Sequence, residues 1–238
     1  MIPQLSFACI CVILGKELEL IITGGGRKMC TRYYMEMSPE LRPIVEKAKR
    51  SALTGRMIDR LGKPLKTDGE IRPTDMVPVI APDQSGNPAI FPMVWGYRIP
   101  GLNHPVVNTR VESASRKDVW KDGWNRHRCI VPASWYYEWE HIRAAGGKMK
   151  TGSKYLIQTK GTSLIFLAAL YRIEEFQDLK YPVFSVLTRQ PSEELKKLHD
   201  RMPVMLPENM VNDWIRPENK AEDLVRYALT EVFMEKAT

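Results

Sequence analysis

Cys30 is the residue whose chemistry depends most on where the chain begins. It stands in Met29-Cys30-Thr31-Arg32. With Met29 as initiator, trimming of the methionine before a small second residue leaves Cys30 at the amino terminus. An amino-terminal cysteine carries an α-amine of pKa about 8 and a thiol of pKa about 8.5 on adjacent carbons. Such a 1,2-aminothiol condenses with aldehydes: the amine forms an imine, and the thiolate then closes a five-membered thiazolidine. A lone cysteine is also commonly a small buried residue, and this segment by itself leaves both readings open.

Three more segments hold residue types that move protons or bind anions. In Asn108-Thr109-Arg110-Val111-Glu112, strand alternation predicts that Asn108, Arg110 and Glu112 share one face. Amide, guanidinium and carboxylate together suit a phosphate or a sugar, and equally a solvated sheet face. Glu138 lies in Trp135-Tyr136-Tyr137-Glu138-Trp139. Aromatic neighbours strip water from a carboxylate and favour its protonated form, the condition for a proton carrier; an exposed Glu on a half-buried strand is the alternative. In His199-Asp200-Arg201-Met202-Pro203, His199 and Arg201 combine an acid–base group with an anion clamp. A histidine favoured by the dipole at a helix end is the competing account. Trp95, in Val94-Trp95-Gly96-Tyr97, is either a stacking surface for a base or core. His104, His127 and His141 receive no role. No two histidines have H-x₃-H or HExxH spacing, so neither a metal nor another cofactor is expected.

The elements that must position these groups read as follows. Ser38-Pro39 predicts a helix start, and Leu41, Ile44, Val45 and Ala48 continue it at helical spacing to about Arg60. Residues 64–73 read as loop. Strands are predicted at 76–81, 89–97, 106–111, 128–131, 135–140, 155–159, 164–171 and 183–188, broken by Pro and Gly. Further helices are expected after Pro191, at 208–215 and at 220–234. The sum is one α+β domain with a large, mostly antiparallel sheet or barrel and peripheral helices.

Composition bounds the class. The 238 residues are 44% hydrophobic and 26% charged, which excludes disordered, collagenous and coiled-coil chains. A membrane-spanning helix needs about 20 apolar residues, and no such run occurs. Four cysteines without paired spacing argue against a disulfide scaffold and for a reducing, cytoplasmic setting. The formal charge of +7 suggests a polyanionic partner.

Residues 1–28 differ from the rest. The apolar run 5–15 is preceded by no basic residue, so it makes a poor signal peptide. Gly24-Gly25-Gly26-Arg27-Lys28-Met29 back-translates to a purine-rich tract before a start codon, as a bacterial ribosome-binding site reads in frame. The expected organisation is therefore an extension, residues 1–28, that is absent or removed, and a domain over 29–238. Loss of the extension leaves a charge of +6, since it carries Lys16, Arg27 and Lys28 against Glu17 and Glu19. Two cysteines remain, Cys30 and Cys129.

Taken in order, Met29-Cys30-Thr31-Arg32, Trp95-Gly96-Tyr97, Asn108-x-Arg110-x-Glu112, Arg128-Cys129-Ile130-Val131-Pro132-Ala133, Tyr137-Glu138-Trp139 and His199-Asp200-Arg201-Met202-Pro203 resemble the SOS response-associated peptidase (SRAP), or abasic-site processing, family. The resemblance implies a single β-rich domain that binds single-stranded DNA and links covalently to abasic sites. Cys30 would be the nucleophile, Asn108 would orient it and the sugar, and Glu138 would shuttle protons. His199 would assist at the opened sugar hydroxyl. Arg32, Arg110 and Arg201 would contact DNA, with Trp95 supporting its path. The chain departs from the family pattern at Thr31, usually glycine. It departs again at Glu70-Ile71-Arg72-Pro73-Thr74, usually Asn-x-Ala-Pro-Thr.

The resemblance further implies lyase and self-processing activity, a monomer, and a nucleoid location when bound to damaged DNA. Two other readings stand beside it: a cysteine (auto)protease using Cys30 and His199, and a non-covalent single-stranded DNA-binding protein.

Overall fold

The computed structural model describes residues 31–143 and 149–237. The extension 1–28 and Cys30 lie outside them. The chain runs through β1 (Tyr33–Met35), α1 (Arg42–Lys49), α2 (Ala52–Leu61), β2 (Gly69–Ile71), β3 (Met76–Pro82), β4 (Pro88–Trp95) and β5 (Asn108–Arg110). It continues with α3 (Val111–Ala114), α4 (Asp118–Arg126), β6 (Arg128–Ala133), β7 (Trp135–Arg143), β8 (Met149–Thr159), β9 (Ile165–Phe176) and β10 (Leu179–Arg189). Short elements close it: β11 (Met202–Pro203), β12 (Met205–Leu206), α5 (Val211–Ile215), α6 (Ala221–Leu224) and β13 (Val232–Lys236).

Two sheets form the α+β domain. In the larger, β10-β4-β3-β6-β9 is closed by β9 pairing antiparallel with β10, which makes a five-stranded barrel. The second sheet, β13-β8-β7-β1-β2, is antiparallel throughout. Its inner side chains, Tyr33, Met35, Tyr136 and Ile157, are buried. A single residue, Ser134, separates β6 in the barrel from β7 in the second sheet. Its N–H donates to the Tyr34 carbonyl (2.8 Å) and its Oγ accepts from the Glu36 N–H (2.8 Å), which ties the corner to β1.

Hydrophobic runs set the barrel. Met76 to Ala81 are all buried, as a strand covered on both faces requires. Pro78 opposes Pro92, and Pro82 opposes Pro88, across the β3–β4 pair. Neither partner in such a pair has a donor, so both pairs are non-hydrogen-bonded positions of the ladder.

Several expectations from sequence are corrected. The first helix starts at Arg42 and not Pro39, because Pro43 lacks an N–H and is tolerated only in the first turn. Ser38 still caps the preceding turn, its Oγ accepting from the Leu41 N–H at 3.2 Å. The helix also breaks at Ser51, which is extended, before α2 begins. The strand expected over 106–111 is only β5, because the chain turns helical at Val111. The helix expected over 220–234 ends after a turn of 3₁₀ helix, and 232–236 instead fill the open edge of β8. The segment after Pro191 holds only a 3₁₀ turn, Leu195–Lys197. Within the expected loop 64–73 lies β2. No helix among the described residues is long and apolar enough to cross a membrane.

Arg128 secures the carboxyl-terminal helices to the barrel. It is buried, and it donates to the carbonyls of Trp214 (2.6 Å), Trp124 (3.0 Å), Asn219 (2.9 Å) and Arg216. Burial pulls its guanidinium below the ordinary value, against the charges of Glu222 and Glu218. Replacing Arg128 by Met strands several carbonyl acceptors, each costing about 1–3 kcal/mol when left dry. Urea unfolding of Arg128→Met is therefore expected to show a stability loss of roughly 3 kcal/mol or more.

Candidate active site

Strand alternation turns Glu138 inward from β7, on the same face as the core residue Tyr136. Only 3% of it is exposed. Its Oε1 lies 3.9 Å from Nε2 of His199, which is completely buried. The Trp139 backbone N–H also approaches Oε1, at 3.4 Å. A carboxyl and an imidazole thus face each other in a water-poor setting, where each can hand a proton to the other or to a bound molecule.

Neighbouring groups define the histidine's state. Its backbone N–H donates to the Leu195 carbonyl (2.9 Å), and Nδ1 accepts the Arg201 backbone N–H (3.1 Å). Nδ1 thus faces both the Arg201 N–H and a carboxylate, while Nε2 points towards Glu138. Asp200 Oδ1 lies 3.1 Å from Nδ1, so a doubly protonated ring finds a carboxylate on each side.

Arg201 connects this pair to β5. Its guanidinium forks onto Glu112 with two contacts of 2.7 Å and donates to the Thr188 carbonyl at 2.7 Å. Thr188 is aligned with Arg110 in the parallel β5–β10 pairing, and Val186 with Asn108. The structure thus gathers the Asn108–Glu112 and His199–Arg201 segments around β10, with Glu138 beside His199. Glu112 belongs to α3 and reaches Arg201 from there, so the expected common strand face holds only for Asn108 and Arg110. Arg201 is 5% exposed and its charge is met by Glu112, which makes it a buried brace and not an open clamp. Asn108 is half-buried and Arg110 exposed.

Trp95 is corrected as well. It is 1% exposed and its Nε1 donates to the Val107 carbonyl at 3.0 Å. Its ring lies against Tyr33 (5.1 Å) and parallel to Phe184 (6.2 Å), so it offers no open face to a base. Instead it props β1 against β10.

Strand β1 leads to the pair. Tyr33 and Tyr34 oppose Tyr136 and Trp135, and the Tyr137 N–H donates to the Arg32 carbonyl at 3.0 Å. Continuing that register brings Thr31 level with Glu138. Arg32 donates through Nε to Glu70 (3.0 Å) and through Nη1 to the Thr31 carbonyl (2.9 Å). On the outer face of the sheet, Tyr34 stacks on Trp135 (4.5 Å, 5°), and Tyr137 meets both edge-on. Cys129, by contrast, is a buried thiol whose surroundings push it well above its ordinary pKa, away from reactivity. Among the described residues no cluster of three His, Cys, Asp or Glu side chains could hold a metal ion.

The sequence profile of the SOS response associated peptidase (SRAP) family matches residues 29–237. The chain belongs to that family. It is 28% identical over 167 residues to the abasic site processing protein YoaM of Bacillus subtilis, covering 67% of this chain and 70% of that protein. It is 33% identical over 149 residues to the abasic site processing protein YMR114C of Saccharomyces cerevisiae, covering 59% and 37%. A crystal structure of a protein from Bacteroides thetaiotaomicron shares the fold. Its TM-score is 0.65 at 16% identity, over 88% of this chain and 92% of that one.

Two features escaped the sequence reading. His141 lies 5.7 Å, ring to ring, from His199. The β7–β8 register slips between Trp139 and His141, and such a bulge adds local twist and re-aims side chains. Gly152 faces the bulge, with the ends of the Glu140 and Ile142 side chains close over it. The second feature is the contact of Glu70 with Arg32 and Lys154, made across three strands and invisible in local spacing.

Glu112 offers a test of the Arg201 brace. Partial burial pushes its carboxyl up, but the Arg201 hydrogen bonds and the charges of Arg201 and Arg110 outweigh that and hold it below the ordinary value. A carboxyl lowered in this way stabilises the fold fully above its unfolded pKa of about 4.3 and loses that contribution as pH falls through the lower folded value. Urea midpoints of wild type and Glu112→Gln are expected to differ at pH 7 and to converge below about pH 4.

Proposed function

We propose that this protein captures abasic sites in single-stranded DNA through an amino-terminal Cys30, formed when Met29 initiates the chain and is removed. The observation that carries the reading is the buried Glu138–His199 pair at the end of the strand leading from Cys30. The β1–β7 register brings Thr31, the residue after Cys30 in the sequence, level with Glu138. The family match from Met29 and the names of the relatives support the same reading.

The chemistry balances without a cofactor. An abasic deoxyribose opens to an aldehyde, and the Cys30 amine adds to its C1′ to give a carbinolamine. Glu138 in its acid form protonates the departing hydroxyl, so that water leaves and an imine remains. The thiolate then adds to the imine carbon and closes the thiazolidine, and the nitrogen regains a proton. His199 serves the sugar hydroxyl freed by ring opening. Asn108 orients the reactants, and Arg110 and Arg32 bind the flanking phosphates. Strand cleavage from the imine would be the accompanying lyase activity.

Protein beginning at Cys30 is expected to give a shifted band with abasic single-stranded DNA on a denaturing gel. Cys30→Ala, or an added residue before Cys30, is expected to give none. A thiol peptidase would survive the added residue and cleave peptides, and a simple binder would ignore the lesion; either outcome rejects the capture mechanism. Glu138→Gln is expected to slow crosslinking by about 10²-fold or more, the usual worth of an acid–base group. Intact mass of protein expressed from its native gene is expected to begin at Cys30.

A further inference from the structure

On the solvent side of the second sheet, three cations converge on one carboxylate, that of Glu70: Arg72, two residues further along the same segment, Arg32, just before β1, and Lys154 of β8. Glu70 Oε1 accepts from Arg32 Nε (3.0 Å) and Arg72 Nε (3.2 Å), and Oε2 accepts from Lys154 Nζ (2.7 Å). Lys154 is itself held 3.6 Å from the Tyr137 ring centre and 5.5 Å from that of Trp139. Tyr137 and Trp139 flank Glu138 in β7, so the cluster lies on the face of β7 opposite to that from which Glu138 turns inward. Its members stay within reach of solvent, with side-chain exposures of 28% for Arg32, 25% for Glu70, 29% for Lys154 and 62% for Arg72.

We propose that Glu70 is a specificity-determining residue that occupies a phosphate seat. It holds Arg32, Arg72 and Lys154 assembled and withholds them from strands that are not captured. The inference rests on the covalent-capture reading above. Three donors around two anionic oxygens form the arrangement that the free oxygens of a phosphodiester also satisfy. These pairs are partly buried but keep contact with solvent, and such pairs contribute modestly to stability, so one anion can replace another there without unfolding the sheet. The neighbouring aromatic rings give the adjoining nucleotide a surface to lie on.

With Glu70 present the seat carries two net positive charges instead of three, and a strand must exchange anions to enter it. That cost weighs on reversible binding to intact DNA. A crosslinked strand cannot dissociate, so capture proceeds in spite of it. Undamaged strands therefore occupy the seat for less of the time, while captured strands still accumulate.

The test compares wild type, Glu70→Gln and the charge-keeping Glu70→Asp in two assays. One is anisotropy with an undamaged single-stranded oligonucleotide over a range of NaCl concentrations, and the other is crosslinking to its abasic counterpart. Glu70→Gln is expected to bind the undamaged strand about 5–10-fold tighter at low salt. Its log K against log[salt] slope should steepen by about 0.7, the increment of one single-strand phosphate. Glu70→Asp should follow wild type. Lys154→Gln, which removes a donor and keeps Glu70, should weaken binding and flatten the slope by a similar amount.

Unchanged or weaker binding by Glu70→Gln with an unchanged slope would overturn the inference and leave Glu70 as a brace of the sheet. Wild type that neither binds the undamaged strand nor crosslinks the abasic one would instead reject the function on which it rests. The seat is then read with inorganic pyrophosphate by calorimetry. Tighter binding by Glu70→Gln supports it, and equal binding overturns it.

Discussion

The corner at Ser134 is the constraint on which the rest of the molecule depends. On one side of it, β6 is paired along its whole length with β9 inside the barrel. On the other, β7 is held between β1 and β8 in the second sheet. With one residue between the two strands there is no slack, so the placement of Glu138 follows from the barrel. The histidine arrives independently, on the turn between the end of β10 and β11. Two separately anchored segments therefore define the carboxyl–imidazole distance: β7, and the 190–201 connection, which is pinned by the bonds of His199 to Leu195 and Arg201. Positioning of this kind is what proton transfer requires, since the groups are placed before a substrate arrives.

The chemistry-bearing segments were legible in the sequence because each is short and carries unusual residue types. Their meeting was not, because it is produced by strand pairing between residues far apart in the chain. The β5–β10 register joins Asn108 to Val186, and β1–β7 joins Tyr34 to Trp135. The strand-rich centre was also legible, from apolar runs punctuated by Pro and Gly. Boundaries failed where tertiary context outweighed local pattern. The carboxyl-terminal segment became a strand because β8 offered an open edge. The region after Arg110 became helical, which put Glu112 on α3. Trp95 carried no local sign that would separate a stacking surface from core; the two rings packed against it decide the matter.

The charge count also changes meaning in three dimensions. A net +7 suggests a broad cationic surface for a polyanion, yet several of the arginines singled out for binding already face carboxylates. Arg201 is committed to Glu112, and Arg32 to Glu70. The Arg201 backbone N–H also donates to His199 Nδ1, so one residue both takes part in the charge pair and orients the histidine. Positive charge here is arranged, with its partners, around the edges of the site.

The paired prolines of β3 and β4 bear on how the molecule behaves in company. A residue at a non-hydrogen-bonded position of one ladder directs its N–H to the opposite edge of its strand. Pro82 and Pro88 therefore delete donors along the outer edges of the β3–β4 hairpin near its exposed tip, beyond the contacts with β6 and β10, while Pro78 and Pro92 are buried further in. An incoming strand from another copy would meet carbonyls there without the matching amides. The exposed tip of the hairpin can thus stand clear of the barrel without serving as a seed for sheet-to-sheet association.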